Sequence, residues 1–85
     1  MPYRLAVDGV NRARGTLQEI EAAVATVVTT RLSLAPERVA PEAQAIRGAF
    51  REGDVQAALD ERGQWFTILD AHSETPLRLK VTKED

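Results

Sequence analysis

The chain has no cysteine, a single histidine, and only one Trp, one Tyr and two Phe among 85 residues. Without cysteine there is no disulfide and no thiolate metal site. Stability therefore has to come from packing, helped by association between chains. The missing cysteine fits a reducing compartment, and the cytoplasm is the expected location. A zinc site needs more nitrogen or sulfur donors than one histidine supplies. No apolar run approaches the ~20 residues that a membrane-crossing helix needs, and the N-terminus lacks a signal-peptide pattern, so no membrane partner is expected. There is no Gly-rich phosphate loop and no dinucleotide fingerprint, so no cofactor is expected either.

What is present is a modest, unevenly placed charge. Eleven basic residues face thirteen acidic ones, a net charge of −2, which argues against a protein built to coat nucleic acid. Residues 1–16 carry Arg4, Arg12 and Arg14 against Asp8 alone, while residues 17–61 are acidic. The length is that of one small domain, residues 1–85, with a core near the lower limit for independent folding.

The most regular stretch is Thr16–Leu32. At about 100° per residue, Leu17, Ile20, Val24, Val27, Val28 and Leu32 fall within one arc of roughly 140°, the stripe of an amphipathic helix. Thr16 and Glu19 have the spacing of a capping box, and Gly15 precedes them at a natural turning point. The far end is rich in β-branched residues, so a shorter helix followed by a strand over residues 26–34 is an alternative.

The flanks read as follows. Tyr3, Leu5 and Val7 alternate with polar or small residues as a half-buried strand. Asp8-Gly9 suits a two-residue type I′ turn, with Val10–Arg14 returning as a second strand whose Val10, Arg12 and Arg14 share one face. Ser33–Ala40 reads as a connector, because Pro36 and Pro41 push the residues before them out of the helical region. Pro41 then opens a second helix with Val39, Ile46 and Phe50 on one side. The phase jumps after Phe50: Gly53 ends that helix and Asp54 caps a third, Val55–Arg62, closed by Gly63. Trp65–Leu69 is a strand apolar on both faces, which predicts a central position or a second subunit over one face. A polar loop, Asp70–Pro76, leads to a half-exposed strand through Leu77, Leu79 and Val81. Lys83, Glu84 and Asp85 read as a solvated tail. The expected fold class is α+β, a small antiparallel sheet in the order β(β)-α-α-α-β-β with helices packed on one face.

Little of this carries chemistry. Asp70, His72 and Ser73 hold the three letters of a hydrolase triad, but triad members normally converge from separate elements onto a substrate and an oxyanion hole. The loop is better read as a polar turn, and none of the acid pairs Glu19/Glu21, Asp60/Glu61 and Glu84/Asp85 has the i,i+4 spacing that stacks carboxylates on a helix face. No catalytic, cofactor-binding or metal-ligating residue is assigned, and the chain is not expected to be an enzyme.

The function expected is that of a small accessory or inhibitor-type protein acting by protein–protein binding and self-associating as a homodimer. Trp65 and Leu69 are the candidate contacts, since tryptophan is enriched among binding hot spots. Arg4, Arg12 and Arg14 are a candidate basic strip for an acidic protein surface. One alternative is weak nucleic-acid binding through those three arginines, against which stands the scarcity of aromatic residues for base stacking. Another is a small enzyme or metal-binding protein using the Asp70–Glu74 loop.

Overall fold

The two ends of the chain meet in the middle of one antiparallel sheet. A computed structural model describes residues 2–84; Asp85 of the expected tail lies outside the described residues. Strand β1 (Tyr3–Val7) turns through Asp8-Gly9 into β2 (Val10–Gly15). Both turn residues have positive φ, 52° and 82°, the backbone that a type I′ hairpin demands and that Asp and Gly tolerate. The hairpin is not regular. Leu5 pairs with Ala13 and Ala6 with Asn11, so Arg12 is an extra residue at a β-bulge. A bulge shifts side-chain parity. Arg14 stands opposite Arg4 on one face, whereas Val10 stands opposite Val7 on the other. The single strip of Val10, Arg12 and Arg14 expected from strict alternation is therefore broken.

Helix α1 spans Leu17–Leu34. Its capping box is complete: Thr16 Oγ1 accepts from Glu19 N–H at 3.2 Å and Glu19 Oε1 accepts from Thr16 N–H at 3.1 Å. Gly15 makes room for this, because a Cβ there would lie 2.8 Å from Glu19 Oε1. Ile20, Val24 and Val28 are buried along the predicted stripe. The β-branched second half stays helical. Thr26 and Thr30 donate their hydroxyls to the carbonyls of Ala22 and Thr26, at 3.1 and 3.0 Å, which satisfies them without leaving the helix.

The connector expected at Ser33–Ala40 is instead almost wholly helical. Ala35 alone links α1 to α2 (Pro36–Arg51), and Pro41 lies inside α2. The backbone at Ala35 (φ −146°, ψ 67°) is outside the helical region, which a residue before proline disfavours. Pro36 opens the helix where its missing N–H is no loss, and Pro41 removes only the rung to the Glu37 carbonyl. Helix α3 (Asp54–Arg62) follows a left-handed Gly53, which is itself the cap residue; Asp54 sits in the first turn and does not cap. The phase jump is real: Val39 and Ile46 of α2 and Val55, Ala58 and Leu59 of α3 are all buried. Among the described residues no helix is long and apolar enough to cross a membrane.

Strands β3 (Gln64–Leu69) and β4 (Leu77–Lys83) complete a sheet ordered β2-β1-β4-β3. The predicted α+β class holds, with three helices and four antiparallel strands among the described residues. The predicted central place of Trp65–Leu69 does not: β3 is an edge. The centre belongs to β1 and β4, whose Leu5, Val7, Leu79 and Val81 form the floor of the core under Ile20, Val24 and Leu59. Trp65 faces the helices and meets Phe50 edge to face, centroids 5.6 Å apart. Phe66 and Ile68 point to the other, uncovered face and are 52% and 39% exposed. Lys83 closes β4, and Glu84 N–H reaches Pro2 C=O at 3.0 Å, so these two are ladder residues and not a free tail.

Burial sets a simple contrast. Leu5→Ala, in the middle of the core floor, lowers the unfolding free energy by about 3 kcal/mol. Leu34→Ala, on a side chain 76% exposed, changes it by less than ~0.5 kcal/mol. Urea unfolding of the two variants reads both.

Candidate functional site

Two arrangements of side chains stand out, one on each side of the sheet. The first is built on Asp70, the residue that follows β3. It is 1% exposed and left-handed, with φ 59°. A lone buried carboxylate is costly, and this one is compensated from two helices. Arg38 Nε of α2 donates to Oδ1 at 2.5 Å and its Nη2 to Oδ2 at 3.2 Å. Arg31 Nη1 of α1 donates to Oδ2 at 3.2 Å and to the Thr75 carbonyl at 2.7 Å. Glu42 of α2 accepts from the Asp70 N–H at 2.7 Å. The Ser73 hydroxyl donates to the Asp70 carbonyl at 2.8 Å, closing the turn. The hydrogen-bonded guanidinium of Arg38, joined by Arg31, holds the Asp70 carboxyl below the usual carboxylate range despite its burial.

This arrangement fastens the β3–β4 loop to the two long helices. It does not assemble the triad letters: His72 is exposed, Ser73 bonds to a backbone carbonyl, and Asp70 is occupied by arginines. Among the described residues no three His, Cys, Asp or Glu side chains gather in a way that would hold a metal ion. The chemistry available to Asp70 is structural ion pairing.

The second arrangement is the uncovered face of the sheet. Phe66 stands opposite Lys80 and Ile68 opposite Arg78 in the β3–β4 register. Across the sheet, Arg4 stands opposite Arg14. Four cations thus share a face with two carboxylates, on a chain whose net charge is −2. Glu84 pairs with Arg14 at 2.7 Å and with Arg4 at 3.5 Å, and Asp8 accepts from the Arg78 backbone N–H at 2.9 Å. Among the described residues, no carboxylate lies within ion-pair distance of Arg78 or Lys80.

The expected contact residues are distributed unequally over this geometry. Arg4 and Arg14 lie together on the open face. Arg12, displaced by the bulge, lines a cleft of about 530 Å³ between α1 and the β1–β2 hairpin. Trp65 is half-buried and Leu69 fully buried under the helices. The exposed apolar pair of β3 is Phe66 and Ile68, the second apolar face that the sequence gives this strand; its cationic neighbours, Arg78 and Lys80, were not among the expected contacts. The signal for them was the alternation itself: both faces of β3 are apolar, and only the register and the layer order decide which pair is free. No family model, no curated protein and no solved structure matches this chain.

Because the Asp70 carboxyl titrates lower in the folded chain than in the unfolded one, its contribution is complete above the unfolded value of about 3.9 and disappears as pH falls through the folded one. Asp70→Asn keeps a side chain tolerant of positive φ and removes the charge. Its Tm falls by roughly 10 °C at neutral pH, and its stability depends less on pH across the acid limb than that of the wild type. Thermal melts at a series of pH values measure both.

Proposed function

We propose that the chain is a non-enzymatic, cytoplasmic binding protein that self-associates and engages an acidic, apolar segment of a partner protein with the open face of its sheet. The observation that carries the reading is Phe66 and Ile68, large apolar side chains left exposed beside Lys80 and Arg78, which have no carboxylate within ion-pair distance among the described residues. Exposed aromatic anchors surrounded by charge are the usual anatomy of a protein-binding patch. Apolar contact supplies affinity there, and the cations select an acidic partner and speed the encounter. Glu84 quenches Arg4 and Arg14, so the free positive charge is local to β4 and not spread as a track.

A second reading, single-stranded nucleic acid, is favoured by one feature: an aromatic ring exposed beside lysine and arginine on a four-stranded sheet, the arrangement on which bases stack. The single ring, the quenched arginines and the net charge of −2 weigh against it.

Peptide selection from a random library separates the two. Selected sequences are expected to combine Asp or Glu with large apolar residues. They lose at least ~10-fold in affinity for Lys80→Glu and for Phe66→Ala, and bind Glu37→Lys, changed on the helical side, as they bind the wild type. Selected peptides without acidic residues, or equal binding to Lys80→Glu, refute the protein reading. Salt-sensitive binding of oligo(U) that Phe66→Ala abolishes supports the second.

A further inference from the structure

The two edges of the sheet are treated differently. Strand β2 is blunted by its bulge and by Arg12 and Arg14, the devices that keep an edge from pairing with another chain. Strand β3, QWFTIL, has no charge and no proline, and its register with β4 runs unbroken from Gln64 to Leu69. It is a bare edge, and its free hydrogen-bonding groups are identifiable. Gly63 C=O accepts from Lys83 N–H at 2.9 Å. In an antiparallel ladder bonded pairs recur every second residue, so residues 65, 67 and 69 exchange bonds with β4. The N–H and C=O groups of Gln64, Phe66 and Ile68 point away from the sheet. Among the described residues nothing else bonds to them. Six strong polar groups are left in a row on a strand flanked by apolar side chains.

We infer that this edge pairs antiparallel with the β3 edge of a second copy, Phe66 facing Phe66 of that copy across the two-fold axis. The register follows from the free groups. Only pairing centred on Phe66 matches all three outward residues, Gln64 to Ile68, Phe66 to Phe66 and Ile68 to Gln64, and it makes six main-chain bonds. The contact is isologous and closes at two copies, leaving the blunted β2 edges outermost in an eight-stranded sheet. Charge selects this occupant. A second copy stacked on the open face would set Arg4, Arg14, Arg78 and Lys80 against their like. At the edge, the nearest cations on that face are the two copies of Lys80, three strand spacings or about 14 Å apart, beyond the ~8 Å screening length of physiological salt. Phe66 rings meeting at the axis form the cross-strand aromatic pair that stabilises antiparallel ladders. The inference deepens the self-association in the proposed function and rests on that part of it alone; the open face stays free for a partner.

The native absence of cysteine makes the register directly testable. Sedimentation of the wild type is expected to give twice the 9.3 kDa chain mass. Facing residues of a bonded pair have Cα atoms about 5.5 Å apart, within disulfide range. Phe66→Cys is therefore expected to cross-link to its own kind under a glutathione redox buffer. Gln64→Cys and Ile68→Cys, each four residues from its counterpart at about 13 Å, are expected not to cross-link alone but to do so when mixed. That mixed pair carries the test if Phe66→Cys does not fold. A monomeric wild type at ~100 µM, or Ile68→Cys cross-linking alone as fast as Phe66→Cys, overturns the inference. Neither readout involves a partner protein, so loss of peptide binding at the open face leaves it standing.

Discussion

Strand β4 exchanges its ladder with β1 on one side and β3 on the other, and Glu84 N–H bonds to Pro2 C=O. The first and last strands therefore lie together at the centre of the sheet, and most of the chain is an excursion between them. Closing so long a loop has an entropic cost that local contacts cannot offset. The return comes from burial. Leu5, Val7, Leu79 and Val81 form one apolar floor when β1 and β4 pair, and the helices bury all four; each buried aliphatic side chain contributes about 1.5–3 kcal/mol. With the centre taken, β2 and β3 must be the edges. The properties of the open face and of the bare strand both follow from that placement.

The Asp70 cluster does for the loop what the sheet does for the termini. Arg31 and Arg38 lie on either side of the Ala35 joint between α1 and α2, and both donate to one carboxylate. A single charge thus holds two helices and the β3–β4 turn in one arrangement. Replacing buried ion pairs with apolar groups often leaves stability unchanged or raises it, so net stabilisation is a weak reason for this one. Geometry is the better reason. The helical hairpin has a one-residue joint, and the guanidinium donors on both sides of it converge where only one docking of the loop satisfies them. The Thr75 carbonyl, accepting from Arg31, and the Ser73 hydroxyl, donating to the Asp70 carbonyl, complete that docking.

Much of the architecture was legible in the residues. The capping box at Thr16–Glu19, the stripe of α1, the Asp8-Gly9 turn, the break at Gly53 and the β3–β4 hairpin are all local patterns, and local patterns survive folding when tertiary contacts agree with them. The misreadings have physical causes. Pro36 and Pro41 suggested a connector, but one lies in the first turn and the other removes a single rung, so α2 absorbs both. The bulge at Arg12 has no signature in the sequence and shifts the parity of β2. The order of strands is a property of long-range pairing, which alternation does not encode; an apolar strand such as QWFTIL reads as central because edges with two apolar faces are avoided. The Asp70 cluster joins residues 28 to 39 positions apart, and no periodicity brings Arg31, Arg38, Glu42 and Asp70 together before the helices dock.

The misplacement of β3 is itself informative. Its two apolar faces predicted a cover for each, and the fold supplies one: Trp65 and Leu69 go beneath the helices, and Phe66 and Ile68 remain outside. A chain with eleven cations and anions to spare had the means to charge this edge, as it did at Arg12 and Arg14 on β2. Instead it set Arg78 and Lys80 one strand inward, on β4. That position is close enough to flank the apolar pair and too far inward to repel a strand added at the edge. The arrangement keeps the open face cationic and the edge neutral. The open face is then suited to an acidic partner and the edge to an identical strand, with Phe66 at the border of the two.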